Sequence, residues 1–279
     1  MSHGIAEAAA LFAAGAAAGT INAVVGSGTL ITFPTLLAFG YSPVTANVSN
    51  TVGLVPGVIS GIHGYRRELK GQRARLVLLG TGSMLGGLTG AILLLTLPAG
   101  AFKAIVPALI ALALVLVVAQ PSLAAWVARR QAARNGRGES GENENGESSK
   151  GSELGEPDDR TNAAGGPLLW TLVFGSGVYG GYFGAAQGVL LLGLLGIAFT
   201  DSLQRINAAK NVLAALVNGV ASVIFIAVSH IAWSATALIA AGSILGGQLG
   251  ARIGRKLPPT ALRFVIVCVG IVALVSLLA

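Results

Sequence analysis

Gly19-Thr20-Ile21-Asn22-Ala23-Val24-Val25-Gly26-Ser27-Gly28-Thr29-Leu30-Ile31-Thr32-Phe33-Pro34, continued by Asn47-Val48-Ser49-Asn50-Thr51, is the stretch that decides the fold. From Ala8 to Tyr65 there is no Asp, Glu, Lys or Arg, the charge profile of chain embedded in lipid. Yet the run is interrupted by Gly26, Gly28, Pro34, Pro43 and Pro56 and carries many amides and hydroxyls. A backbone N–H or C=O left unpaired in lipid is heavily penalised. Broken, polar backbone therefore persists only where it is buried in protein or lines a wet cavity. When both halves of a chain carry such interruptions, they point to a transporter's binding site.

The composition agrees. Of 279 residues, 53% are hydrophobic and 10% charged, and the mean hydropathy is +0.75. A soluble domain carries about 25% charged residues, so a water-soluble fold is excluded. The formal charge of +7 does not mark a nucleic-acid binder. Eight of the 11 acidic residues fall between Glu139 and Asp159, and the basic residues mostly flank apolar runs, where they set topology. No basic surface interleaved with aromatics is present. The N-terminus lacks a basic leader region, so the first apolar run is expected to stay in the mature protein. The single cysteine, Cys268, is expected to be a lipid-facing or packed thiol, with no disulfide or thiolate metal site.

Charge-free windows cover 8–65, 76–102, 104–128, 161–200, 211–251 and 264–279, and a spanning helix needs about 20 residues. Three segments follow: a first membrane repeat over 1–128, a polar and disordered linker over 129–165, and a second repeat over 166–279. The repeat is visible in one register. Gly82-Ser83-Met84-Leu85-Gly86-Gly87 recurs as Gly242-Ser243-Ile244-Leu245-Gly246-Gly247. The same offset, without a gap, pairs Gly15 with Gly175, Gly28 with Gly188, Asn47 with Asn207 and Leu97-Pro98 with Leu257-Pro258. Arg66, Arg67, Lys70, Arg73 and Arg75 make the loop after the second span cytoplasmic, and Arg129, Arg130, Arg134 and Arg137 do the same for the linker. In the second half the basic cluster, Arg252, Arg255 and Lys256, lies in a different loop. The halves are thus expected to be inverted, which requires an odd number of crossings each. The architecture expected is all-α and polytopic: two repeats, each a broken, partly re-entrant hairpin (8–40, 168–200) followed by three spans, about eight helices in all.

Helix breaks inside a membrane expose half-helix N-termini, whose free N–H groups and dipole favour anions. Breaks are expected at Gly26-Ser27-Gly28-Thr29 and at Ala186-Gln187-Gly188, where Ser27, Thr29 and Gln187 offer donors. The alternative is that these glycines serve helix packing, the role expected for 83–90 and 243–250. Asn22 lies just before the first break. Asn47, Ser49, Asn50 and Thr51 are expected to begin the next helix, with Asn207, Lys210 and Asn211 as counterparts. Asn47 is either a helix cap or a ligand contact. Lys210 is either a functional cation, with an anionic substrate as its natural partner, or a lysine snorkelling to the interface. Asp201 and Arg205 read as mouth residues. The candidate binding set is therefore Asn22, Gly26, Ser27, Gly28, Thr29, Asn47, Asn50, Thr51, Gln187, Gly188, Asn207, Lys210 and Asn211.

No Asp or Glu lies inside a predicted span, which argues against a carboxylate proton relay or a carboxylate-lined cation site. The histidines His3, His63 and His230 have no metal-ligand spacing. Neither a nucleotide-binding loop nor a hydrolase motif is present, so no motor, no cofactor and no enzymatic role are expected.

The Gly19–Pro34 run with Ala46-Asn47-Val48-Ser49-Asn50-Thr51, and Arg205-Ile206-Asn207-Ala208-Ala209-Lys210-Asn211 continuing to Asn218, resemble the two repeats of the TauE/SafE sulfite-exporter family. Ser27 stands where that family usually has glycine, and the polar linker is longer than usual. The resemblance implies a multi-pass inner-membrane transporter of sulfite, sulfonates or related organosulfur anions. It also implies that Gly26, Gly28 and Pro34 form the first break and Gly188 the second. The expected partners are a small anion and the bilayer, with no nucleic acid and with room for a homo-oligomer. The alternatives are transport of another small anion or a neutral metabolite, or a non-transporting membrane scaffold or enzyme.

Overall fold

The computed structural model describes residues 2–141, 166–253 and 259–278. Among these there are ten helices and no strand: α1 (Ser2–Val24), α2 (Thr29–Ala38), α3 (Pro43–Gly64), α4 (Arg73–Thr96), α5 (Ala99–Gly141), α6 (Pro167–Tyr182), α7 (Gln187–Ala198), α8 (Leu203–Val228), α9 (Trp233–Ile253) and α10 (Pro259–Leu278). The count exceeds the expected eight because each hairpin is divided into two separate helices at its break. α5 runs on to Gly141, so the first part of the expected linker, 129–141, is helical. The remainder of the linker, and Arg255 and Lys256 of the second basic cluster, lie outside the described residues.

Among the described residues five helices are long and apolar enough to cross a bilayer: 4–24, 73–96, 100–126, 203–228 and 233–252. Their outer faces carry side chains that water would not tolerate in such numbers, among them Val77, Val115, Val223 and Val228, each more than 60% exposed. α2, with ten residues, reaches about 15 Å at 1.5 Å per residue, half of a hydrocarbon core. α3 carries Asn47, Ser49, Asn50 and Thr51 on buried positions, which lowers its hydropathy but not its length.

Local chemistry sets the ends. Ser42 caps α3, its Oγ accepting the Thr45 N–H at 3.3 Å, with Pro43 in the first turn. Asn47 therefore sits in the second turn and is not a cap. Ser202 caps α8 in the same way, accepting from the Arg205 N–H at 3.4 Å. The starts of α3, α4 and α5 fall at Pro43, Arg73 and Ala99, and those of α8, α9 and α10 at Leu203, Trp233 and Pro259. These three pairs keep the register that matches Asn47 with Asn207 in the sequence.

The packing is crossed. α1 lies along α9, and α6 lies along α4. Both seams bring backbone against backbone: a Cβ on Gly246 would stand 2.0 Å from the Ala16 carbonyl, and one on Gly90 would stand 2.1 Å from that of Val178. The glycines of 83–90 and 243–250 are thus packing positions, as expected. Thr20 Oγ1 donates to the Gly246 carbonyl at 3.1 Å, and Trp170 Nε1 donates to Thr81 Oγ1 at 2.9 Å, one polar tie across each seam.

Each hairpin returns towards its start. Tyr41, after α2, donates its hydroxyl to Glu7 Oε1 near the start of α1 at 3.1 Å. Phe199, after α7, shares a hydrophobic cluster with Leu169 near the start of α6. At the end of α3, Tyr65 packs with Ala208 and Ala251. The loop after α3, the start of α8 and the end of α9 therefore share one face of the bundle.

Candidate functional site

Two breaks meet at the centre. The first, 25–28, turns on Gly26, whose φ of +89° suits a residue without a Cβ. The second covers 183–186 and lies earlier in the chain than expected. Gly184 (φ +76°) and Ala186 (φ +61°) make the turn, while Gln187 and Gly188 already belong to the first turn of α7. Ala186 occupies the left-handed region that glycine occupies at the equivalent Gly26. The breaks touch: the Gly188 N–H donates to the Gly26 carbonyl at 3.2 Å, and a Cβ on either glycine would lie 2.5–2.6 Å from the other's Cα.

Around this crossing the half-helix ends are tied down by amides from the opposite half. Asn47 Nδ2 donates to the carbonyl of Tyr182, the last residue of α6, at 2.9 Å. Asn207 Nδ2 donates to the Ala23 carbonyl near the end of α1 at 3.0 Å and lies 3.1 Å from the Tyr65 hydroxyl. Asn211 Nδ2 and the Tyr65 hydroxyl also reach the Ala23 carbonyl, at 3.4 and 3.5 Å. Lys210 Nζ donates to the Asn22 carbonyl at 3.4 Å. A cation at that place complements the negative end of the α1 dipole. Lys210 is 1% exposed, so it does not snorkel, and the partner it has in this structure is a backbone carbonyl.

A small cavity, about 20 Å³, opens beside the crossing. Of the expected residues, Asn22, Gly26, Thr29, Gln187, Gly188, Lys210 and Asn211 line it. The others are placed around it. Gly28 donates its N–H to Asn22 Oδ1 at 2.7 Å. Ser27 is buried with its hydroxyl unpartnered. Asn50 accepts from the Thr32 hydroxyl and donates to Thr29 Oγ1 at 3.3 Å. Thr51 bonds back to the Asn47 carbonyl at 2.9 Å, and Asn47 and Asn207 hold helix ends as described. Sequence reasoning missed Val58, Gly184, Ala214 and Asn218 in the lining. Asn211, Ala214 and Asn218 follow a helical spacing of three and four, a signal that would have found Asn218.

The lining contains no Asp or Glu. Among the described residues no group of three or more His, Cys, Asp or Glu could hold a metal. The expected mouth residues form a polar knot on the face of the basic loop. Asp201 pairs with Arg75 at 2.5 Å and with Arg205 at 2.9 Å. Gln72 Nε2 donates to the Arg205 carbonyl at 3.1 Å, and the Arg75 guanidinium stacks 3.6 Å above the Phe199 ring. Burial works to raise the Asp201 pKa, but hydrogen bonds and charge from Arg75 and Arg205 outweigh it and hold the carboxyl below its ordinary value.

Comparison with known proteins gives the family. The family model described as "Sulfite exporter TauE/SafE" matches residues 11–277. The "Probable membrane transporter protein YfcA" of Escherichia coli strain K12 is 26% identical, covering 88% of this chain and 82% of that protein. A "Probable membrane transporter protein" of Haemophilus influenzae is 25% identical, covering 96% of this chain and 92% of the relative. No solved structure matches the chain. With its apolar spanning helices and a match over nearly its whole length, the chain is a multi-pass membrane transporter and belongs to the TauE/SafE sulfite-exporter family.

Proposed function

We propose that the protein is a secondary transporter of a small sulfur-containing oxyanion, such as sulfite or a sulfonate, bound near mid-membrane between two inverted repeats. The observation that carries this reading is Lys210: a lysine 1% exposed, lining a cavity without a carboxylate, beside the N-terminal ends of α2 and α7. A buried lysine amine with no carboxylate among the lining residues is held in its charged form by a negative solute beside it. The constant register of the helix starts and the hairpins that return to their starting faces support the inverted arrangement. Each half then makes three crossings. The basic residues of 66–75, Arg205 and Arg252 fall on one face, which the distribution of positive charge assigns to the cytoplasm together with the linker. The membrane is taken to be the cell's inner, or plasma, membrane, the location that membership of this family suggests.

The test is counterflow in proteoliposomes with labelled sulfite, sulfoacetate and thiosulfate, with a neutral metabolite as control. Accumulation of one or more sulfur anions supports the reading. Counterflow of the neutral solute alone, or of none, overturns it.

A further inference from the structure

Asn22 does something in this structure that a substrate contact would not do. Its Oδ1 accepts the Gly28 N–H at 2.7 Å, at the positive N-terminal end of the ten-residue α2. The fit is tight, since a Cβ on Gly28 would lie 2.9 Å from Asn22 Cγ. The same side chain lines the central cavity, whose 20 Å³ holds about one water and no oxyanion. One of the other lining residues carries an unsatisfied group. Gln187, 3% exposed and in the first turn of α7, has an Nε2 donor with no partner. A buried donor without an acceptor is a costly arrangement that an arriving acceptor relieves.

We infer that the Asn22 carboxamide is a built-in occupant of the anion position, holding the α2 N-terminal N–H in the empty protein and giving it up to a substrate oxygen. The inference rests on the anion reading proposed above. It assigns Asn22 a competing role in place of a contacting one. Exchange is favourable in the right sense. A hydrogen bond from an N–H to an oxyanion is charge-assisted and about twice as strong as one to a neutral amide oxygen. The incoming anion therefore outcompetes the carboxamide, while the carboxamide protects the N–H from standing empty. Swinging Asn22 out also provides the space that the cavity lacks, with Gln187 and Lys210 among its other lining residues. An aspartate here would differ: it would place a permanent negative charge between the α2 N-terminus and the Lys210 ammonium, which already contacts the Asn22 carbonyl.

The experiment compares the full-length purified protein with Asn22→Ala and Asn22→Asp in detergent. It reads labelled-sulfite binding, and thermal melting without ligand. An occupant predicts that Asn22→Ala binds sulfite about three- to tenfold more tightly, the effect of removing one competing neutral hydrogen bond. It predicts that Asn22→Asp binds about a hundredfold more weakly and melts higher than the parent without ligand. Weaker sulfite binding by Asn22→Ala, or an Asn22→Asp variant that binds like the parent or melts no higher, overturns the inference. Should Asn22→Ala not yield monodisperse protein, Asn22→Val, whose side chain has no hydrogen-bonding atom, carries the same expectation. If the parent binds neither sulfite nor thiosulfate, the anion reading falls by itself. The ligand-free melting shift of Asn22→Asp then still decides whether this side chain holds the α2 N-terminus.

Discussion

α3 and α8 start at matching points of the sequence register, Pro43 and Leu203, and lie beside the same crossing, yet they contribute unequally to the cavity. On α8, Lys210, Asn211 and Asn218 line it. The equivalent positions of α3 are Asn50, Thr51 and Val58. Asn50 is committed to Thr32 and Thr29, Thr51 to its own helix, and Val58 alone faces the cavity. The helix-end amides, by contrast, are kept on both sides: Asn47 holds the end of α6 and Asn207 the end of α1. Scaffolding is shared by the two halves, and the charged wall belongs to one of them.

The strongest way to break this contrast is charge. Lys210→Glu should reduce anion counterflow at least about a hundredfold. A buried charge of the wrong sign costs on the order of 3–5 kcal/mol. Asn50→Ala should leave sulfite affinity within about threefold, because the lost partners are two neighbouring hydroxyls worth about 1 kcal/mol each to the fold. Equal losses from both changes would remove the asymmetry. Backbone comes next. Gly26→Ala should destabilise the protein by about 3 kcal/mol, because its Cβ meets the Gly188 backbone and its φ is positive. Ala186→Gly should stabilise by about 1 kcal/mol, by releasing a non-glycine residue from the left-handed region. Thermal unfolding followed by size-exclusion chromatography reads both signs.

Smaller effects sharpen the comparison of the helix ends. Asn47→Ala leaves the Tyr182 carbonyl without its amide donor inside the protein and should cost about 2–3 kcal/mol. Asn207→Ala should cost less than about 1 kcal/mol, because Asn211 and Tyr65 also reach the Ala23 carbonyl. The reverse order in melting temperature would refute the assignment. Least of all, the Asp201 knot should contribute under about 1 kcal/mol, screened by salt. Arg75 and Arg205 depress the folded pKa of Asp201 below its unfolded value. Its stabilisation is therefore full above the ordinary carboxylate range and is lost as pH falls through the lower folded value. Asp201→Asn should abolish that part of the acid dependence, seen as a flatter melting profile between neutral and acid pH.

Much of the scaffold was legible in the sequence because lipid restricts what a chain can do. Charge-free windows and the constant register between the halves located the helices, and Gly26 and Gly28 marked the first break. The second break was harder to see. Gly188 matched Gly28 and drew attention, while the turn itself uses Gly184 and an alanine that no propensity places in a left-handed conformation. The role of Asn47 was hidden for a different reason. Its partner, the Tyr182 carbonyl, lies 135 residues away, and backbone groups carry no signature in a side-chain alphabet. Lys210 stood out as a lone cation in an apolar run, but its carbonyl partner did not. A C-terminal helix end becomes visible only once the break that creates it has been placed.

The crossed seams have a consequence for how the protein is made. α1 leaves the ribosome first, but the helix against which its glycine face closes, α9, begins only at Trp233. During synthesis the opening hairpin must wait in the bilayer with its backbone-contact surface open, held by lipid or by the insertion machinery. A chain interrupted before Trp233 strands it there.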